Sequence, residues 1–139
     1  MAAHHRWGRG SQIHRAELRP ELQQFVDELL KRNPTDLTIT DGHRDRAGQD
    51  AAFNAKKSRA RWGQSPHNRL PSFAVDVAIL DGNGQIPWND RAAWDAHGEL
   101  GEQVARDLGL AITWGGRFEG FFDGPHFELS GWRSVKVPG

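Results

Sequence analysis

Two short segments contain residue types that together are suited to hydrolytic chemistry. Residues 65–77 hold His67 and Asp76, and residues 123–128 hold His126. Two imidazoles and a carboxylate, with a fourth position left open, are a typical ligand set of catalytic zinc sites. The two segments therefore indicate a candidate metal site made from His67, Asp76 and His126.

A hydrolytic metal site needs other groups besides its ligands, and the sequence offers candidates for them. The metal lowers the pKa of a water to about 7, and amide hydrolysis then requires a base and a cation that stabilises the developing oxyanion. Asp123, three residues before His126, is the candidate base, with Glu128 as an alternative base or as structural support. Arg44 lies in a predicted turn and is the candidate cation.

Each candidate also has a structural interpretation. His67 would then be a polar loop residue, His126 an imidazole at the edge of the core, and Asp123 a turn residue. Asp76 would need a salt bridge within its apolar segment, because an unpaired buried carboxylate is costly. Spacing alone leaves these alternatives open, since sets of two histidines and one aspartate can be assembled in most proteins.

The composition limits both the architecture and the kind of metal site. With 139 residues the chain is long enough for one domain with a buried core. It has no cysteine, which excludes disulfides and thiolate ligands, and its 18 basic and 18 acidic residues give no support for a nucleic-acid or membrane partner. Residues 1–10 lack the apolar region of a signal peptide, and no apolar run approaches a membrane span.

Three helices and four strands are expected from periodicity and capping signals. One helix begins near Pro20 and carries an apolar stripe; the second follows the cap Asp45, and the third runs from Asn89 or Asp90 to Gly109. Strands are predicted over four segments: residues 37–40, 73–80, 110–114 and 126–129. The basic residues 56–69 are predicted to form a loop, either a solvated surface or the rim of a cleft.

These elements predict the α+β class, with a small antiparallel sheet and flanking helices in one domain. Alternation along residues 73–80 places Asp76 on a face of small residues, opposite the bulky apolar one. Residues 1–16 are expected to form an irregular N-terminal arm, and residues 17–139 the folded domain. His97, on the stripe of the third helix, is expected to be a packed histidine.

Four motifs occur in the order and spacing of a known family. They are Gly42-x-Arg44-x-x-x-x-Gln49, Ser65-x-His67 followed by Ala74-Val75-Asp76, Trp114-Gly115-Gly116, and Asp123-x-x-His126-Phe127-Glu128. Over residues 17–130 the chain resembles the zinc D-Ala-D-Ala carboxypeptidase and L-alanyl-D-glutamate peptidase family. It is most similar to the phage endolysin branch, the L-alanyl-D-glutamate endopeptidases.

The resemblance implies a small α+β fold with an antiparallel sheet and a role for each motif residue. Three residues would bind one zinc ion per chain: His67, Asp76 and His126. Asp123 would be the general base, and Arg44 the cation that contacts the substrate or the transition state. Three others would contact the substrate or support the site: Ser65, Gln49 and Trp114.

The implied function is that of a zinc peptidoglycan endopeptidase, an endolysin that cleaves the L-Ala–D-Glu bond of stem peptides during host cell lysis. We expect a monomer without nucleic-acid partners or stable membrane association. Without a signal peptide it would be made in the host cytoplasm and reach the periplasm and cell wall after the membrane is permeabilised. The alternatives are a D-Ala-D-Ala dipeptidase or carboxypeptidase of the same family, a non-catalytic cell-wall-binding module, and a nucleic-acid binder that uses the basic loop.

Overall fold

Helices and strands are interspersed along residues 5–134, the part of the chain that the computed structural model describes. The helices are α1 (Arg9–Ala16), α2 (Pro20–Arg32), α3 (Arg46–Asn54) and α4 (Arg91–Leu108). The strands are β1 (Leu37–Asp41), β2 (Ala74–Ile79), β3 (Ile112–Trp114) and β4 (His126–Leu129). Three short 3-10 turns cover Pro66–Asn68, Gly115–Arg117 and Trp132–Ser134. This arrangement confirms the predicted α+β class.

The four strands form one antiparallel sheet in the order β1-β2-β4-β3. The register between the two central strands places Asp76 of β2 directly opposite His126 of β4. Directly opposite residues project from the same face of a sheet, with their Cβ atoms about 5 Å apart. Strand pairing therefore makes neighbours of two candidate site residues that are far apart in the sequence.

Helices α2 and α4 cover one face of the sheet, and the core lies between these helices and the sheet. The predicted stripe of α2 is buried, and its Phe25 ring lies 5.1 Å from that of Phe127 in β4. Helix α4 approaches the sheet closely at Gly101, where a Cβ atom would lie 2.4 Å from the Phe127 ring. Because side chains alternate along a strand, Asp76 and His126 project from the opposite face, away from these helices.

His97 of α4 is a packed histidine, as its position on the apolar stripe predicted. Its Nε2 donates a hydrogen bond to the carbonyl oxygen of Val77 at 2.9 Å, and its ring contacts Trp94 and Phe127 edge to face. Burial lowers the pKa of His97 to about 4, so the ring is neutral at pH 7. It belongs to the core and takes no part in the candidate metal site.

The predicted helix ends are confirmed. Asp45 accepts a hydrogen bond from Gly48 N at 2.7 Å, Asp90 accepts one from Ala93 N at 3.1 Å, and Gly109 ends α4 in the left-handed region with φ 69°.

Within residues 5–134, no helix combines the length and apolar character needed to cross a membrane.

The expectation of an irregular arm is wrong for Arg9–Ala16, which form helix α1; residues 1–4 lie outside the described residues. Helix α1 packs along β1, an edge strand, where Ser11 Oγ accepts a hydrogen bond from Ile39 N at 2.9 Å. Arg15 forms a salt bridge with Asp27 of α2 at 2.6 Å. The helix is held by polar tertiary contacts, which apolar periodicity does not reveal. A domain boundary at residue 17 stays a prediction.

Candidate active site

The three candidate metal ligands meet on the face of the sheet that helices α2 and α4 leave uncovered. One ligating atom from each of His67, Asp76 and His126 lies within 4.8 Å of the other two. Asp76 Oδ1 is 3.2 Å from His67 Nε2 and 3.0 Å from His126 Nδ1. Two imidazole nitrogens and a carboxylate oxygen thus converge on one point, and this donor set is suited to a divalent metal ion.

Hydrogen bonds on the far side of each imidazole decide which nitrogen faces Asp76. His67 Nδ1 lies 2.6 Å from the carbonyl oxygen of Gly42, which can only accept, so Nδ1 carries the hydrogen and Nε2 keeps its lone pair. His126 Nε2 lies 2.8 Å from Glu128 Oε1, which in the same way leaves Nδ1 as the ligating atom. Metal-binding histidines usually have such an acceptor behind the ring. The residues present therefore fit a metal ion.

A capped 3-10 turn holds His67 in place. The turn Pro66–Asn68 begins after Ser65, whose Oγ accepts a hydrogen bond from His67 N at 3.2 Å. In return, Asn68 Oδ1 accepts hydrogen bonds from Ser65 N at 3.2 Å and from Gly63 N at 2.9 Å. Ser65 is thus placed to support His67 through the backbone, and it also lines the cleft.

The group around Asp76 is built to hold positive charge. Burial by itself would raise the pKa of Asp76, but the electrostatic interactions and hydrogen bonds with His67 and His126 outweigh burial and lower it below its ordinary value. Burial likewise would lower the pKa of His126, but its hydrogen bonds to Asp76 and Glu128 raise it to about 10. Asp76 and Glu128, on either side of the His126 ring, therefore favour positive charge at this position.

Asp123 lies beside this group in the loop that precedes β4. Burial, and then the negative charge of Asp76, raise the pKa of Asp123 above its ordinary value. Gly115 permits the close approach, because a Cβ atom there would lie 2.4 Å from the Asp123 carbonyl oxygen. The buried Trp114 holds Gly124, the residue that follows Asp123, because its Nε1 donates a hydrogen bond to the carbonyl oxygen of Gly124 at 2.8 Å.

Arg44 reaches the same cleft from the segment between β1 and α3. Its Nε donates to Asp41 Oδ2 at 3.0 Å, and its Nη1 donates to Gln49 Oε1 at 2.9 Å. Its backbone N also donates to the carbonyl oxygen of His67 at 2.7 Å, which ties the arginine to the metal group. The Arg44 side chain is 18 % exposed; its hydrogen bonds hold it in one orientation, and it lines the cleft.

These residues line a cleft of about 590 Å³. Six of the candidate site residues face it: Arg44, Ser65, His67, Asp76, Asp123 and His126. Two do not line it: Gln49, which is fully buried and bonds to Arg44, and Trp114, which is buried behind Asp123. Their positions suit a supporting role.

Glu128 and Trp132 complete the site behind the His126 ring. Glu128 was expected as an alternative base or as support; its Oε1 accepts from His126, and its Oε2 accepts from Trp132 Nε1 at 2.6 Å. Both carboxylate oxygens are therefore engaged, which favours support over proton transfer. Alternation along β4 places Glu128 on the same face as His126, but no pattern pointed to Trp132, which follows the strand and is 3 % exposed.

Replacing Glu128 by glutamine is expected to weaken zinc binding by about 10- to 100-fold, the usual cost of losing a hydrogen-bond partner of a ligating histidine. The amide cannot accept from both His126 and Trp132, because one of its two ends is a donor. Competition against a chelator of known affinity measures the effect. Trp94→Phe is the control, since it loses an indole hydrogen bond to Pro87 O at 3.0 Å within the core. Equal zinc affinity of Glu128→Gln and wild type would contradict the supporting role.

Comparisons with known proteins identify the family to which this chain is similar. A family model described as phage L-alanyl-D-glutamate peptidase matches residues 3–130. The chain is 30 % identical over 135 residues to the L-alanyl-D-glutamate peptidase of Escherichia phage T5, covering 89 % of this chain and 97 % of the relative. It is 28 % identical over 128 residues to the peptidoglycan L-alanyl-D-glutamate endopeptidase CwlK of Bacillus subtilis strain 168, covering 82 % and 74 %.

A solved structure extends the similarity to the fold. The crystal structure of the Serratia marcescens L-Ala D-Glu endopeptidase ChiX superposes with a TM-score of 0.76. The match covers 90 % of each chain at 25 % sequence identity. The same architecture thus extends across nearly the whole of both proteins.

Proposed function

The chain belongs to the phage L-alanyl-D-glutamate peptidase family, and on this basis we propose that it is a zinc-dependent endopeptidase that hydrolyses the L-Ala–D-Glu bond of peptidoglycan stem peptides. One observation carries the proposal. The two histidines and the aspartate bring their donor atoms within 4.8 Å of one another, in a cleft with room for a peptide. Zinc suits this set, because three nitrogen and oxygen ligands leave one position for catalysis.

The metal would be held by His67 Nε2, a carboxylate oxygen of Asp76 and His126 Nδ1. When bound, zinc would supply Lewis acidity, which activates water and polarises the amide carbonyl. Gly42 O and Glu128 would keep both rings in orientation through the hydrogen bonds on their far sides.

Asp123 would take the proton of the attacking water and pass it to the leaving nitrogen. A base works best when its pKa lies near the working pH, and burial together with the charge of Asp76 shifts the pKa of Asp123 in that direction. The hydrogen bond from Trp114 to Gly124 and the close contact at Gly115 would hold the carboxylate at the site.

Arg44 would stabilise negative charge that develops on the substrate. Its guanidinium is oriented by Asp41 and Gln49 before any substrate binds. Donors that are already in position need no reorganisation as charge develops, and this is the usual source of a large catalytic effect.

In the phage setting, the enzyme would act as an endolysin. It would be made in the host cytoplasm, reach the cell wall once the membrane is permeabilised, and work there as a monomer on stem peptides, without nucleic acid or lipid partners.

The experiment is digestion of purified Gram-negative peptidoglycan with metal-depleted, zinc-restored and untreated protein, followed by mass analysis of the products. We expect release of stem peptides with new L-Ala C-termini, loss of release after metal depletion, and recovery with zinc. Release of D-Ala would instead identify a D-Ala-D-Ala peptidase. Binding of peptidoglycan without any cleavage by the zinc-loaded protein would identify a wall-binding module and overturn the proposal.

A further inference from the structure

Above the candidate metal group the cleft has a basic wall and an aromatic wall. Residues 56–60 form the first, Lys-Lys-Ser-Arg-Ala, and all five line the cleft. Opposite them, the loop before β4 contributes Phe118 and Phe121. The Phe118 ring lies 5.5 Å from that of His126, and the Phe121 ring lies 5.2 Å from that of Phe118. The aromatic wall thus leads outward from a candidate ligand to the mouth of the cleft.

The basic wall is anchored to the interior. The fully buried Gln49 donates hydrogen bonds from its Nε2 to Ser58 Oγ at 3.1 Å and to the carbonyl oxygen of Ala60 at 2.5 Å. Ser58 Oγ also accepts a hydrogen bond from Ala60 N at 3.1 Å. Arg59, between these two residues, therefore projects from a backbone whose position is set by the core.

The Arg59 guanidinium connects the basic wall to the loop that carries the aromatic wall. Its Cζ lies 4.5 Å from the centre of the Phe121 ring, and its Nη2 lies 3.5 Å from the carbonyl oxygen of Gly120. Within residues 5–134, Arg59 forms no salt bridge, since no carboxylate oxygen lies within 4.0 Å of its guanidinium nitrogens. Arg44 and Arg117, by contrast, each form a salt bridge with a carboxylate. An arginine stacked on an aromatic ring keeps its edge free to donate to a planar anion.

The proposed substrate supplies such an anion. Glutamate has two carboxyl groups and only one can continue the peptide, so a chain with an L-Ala–D-Glu bond keeps a free carboxylate on the leaving side. The free C-terminus of the stem peptide adds another. Because the chain as a whole has no net charge, the basic wall is a local feature of the cleft.

We propose that Arg59, supported by Phe121, forms a subsite that binds a carboxylate of the stem peptide on the leaving side of the scissile bond. Lys56 and Lys57 add positive charge to the same wall. The subsite would set specificity for anionic peptides over amidated ones, and it rests on the proposed peptidase function.

The same segment supplies a matched control in Arg61. Its Cζ also lies 4.5 Å from the centre of a phenylalanine ring, that of Phe53, and its side chain is also exposed. It lines a separate hollow together with Asp50 and Trp62, and it does not line the cleft. Arg59→Gln and Arg61→Gln therefore remove the same charge from the same segment, one inside and one outside the cleft.

The test measures kcat/KM of the zinc-loaded enzyme on soluble peptides that contain an L-Ala–D-Glu bond. Each peptide is compared with forms amidated at the glutamate carboxylate or at the C-terminus. We expect wild type to favour the acid over one of the amides by about tenfold, through KM, as for a charge-assisted hydrogen bond. Arg59→Gln should abolish this preference, Arg59→Lys should retain part of it, and Arg61→Gln should leave it intact.

The outcomes separate the subsite from the proposed function. Equal cleavage of acid and amide forms by wild type would overturn the subsite and leave the peptidase intact. The subsite would also be wrong if Arg59→Gln kept the preference for the acid peptide, or if Arg61→Gln lost that preference to the same extent. An equal fall in kcat/KM of Arg59→Gln on the acid and amide peptides would overturn it as well. If the zinc-loaded wild type cleaves neither the soluble peptides nor purified peptidoglycan, the proposed function itself is wrong.

Discussion

Replacing Asp123 by asparagine is expected to lower kcat by about 10²- to 10⁴-fold, the usual contribution of a positioned general base. Asparagine has nearly the same shape but cannot take a proton from water. Zinc affinity should change little, because Asp123 lies beside the three candidate ligands and is not one of them. Stem-peptide release and zinc content, measured on the same preparations, check the two halves of this expectation.

Glu119→Gln is the matched control for Asp123→Asn. Glu119 also lines the cleft, but its side chain is exposed, and among the described residues no salt bridge involves it. Glu119→Gln should leave kcat within a few-fold of wild type, because a carboxylate at this position of the cleft does not serve as the base. An Asp123→Asn enzyme that keeps more than about a tenth of wild-type kcat would rule out Asp123 as the base.

Replacing Asp76 by asparagine is expected to abolish zinc binding and, with it, peptidase activity. Both candidate histidine ligands face the same carboxylate oxygen, at 3.2 and 3.0 Å, so the substitution removes the negative charge at the centre of the group. A ligand that binds only the folded state stabilises it by about 4 kcal/mol at a concentration 1,000 times its Kd. Added zinc should therefore raise the Tm of wild type clearly and that of Asp76→Asn hardly at all.

Asp41→Asn tests whether this effect is specific. Asp41 pairs with Asp76 in the register of β1 and β2, but its carboxylate binds Arg44. The variant should keep the zinc-dependent rise in Tm while losing activity, because Arg44 loses its orienting partner. A zinc response in Asp76→Asn equal to that of wild type would show that the metal is held elsewhere.

Much of the fold could be predicted because its signals are local. The apolar stripe of α2 and the caps Asp45 and Asp90 each depend on residues within a few positions of one another. Alternation along β2 and β4 was sufficient to assign Asp76 and His126 to faces opposite the apolar side chains. Each such prediction follows from backbone periodicity, which the order of residue types reveals directly.

Helix α1, the anchoring of the basic wall by Gln49, and the contact of Trp132 with Glu128 could not be predicted in this way. Each depends on a polar contact between segments that meet only after folding, such as Ser11 with Ile39 at 2.9 Å. A hydrogen bond of this kind leaves no periodic pattern, since one donor and one acceptor can lie at any separation along the chain.

By itself, the sequence determined the class of fold, the family and the set of residue types from which a metal site can be made. The tertiary structure decided which atoms meet. The pairing of β2 with β4 sets Asp76 opposite His126, Gly42 and Glu128 select the ring nitrogens that face the carboxylate, and Gly115 lets Asp123 approach. Residue type carries the chemistry of a donor, but its distance and direction depend on strand register and packing between distant segments.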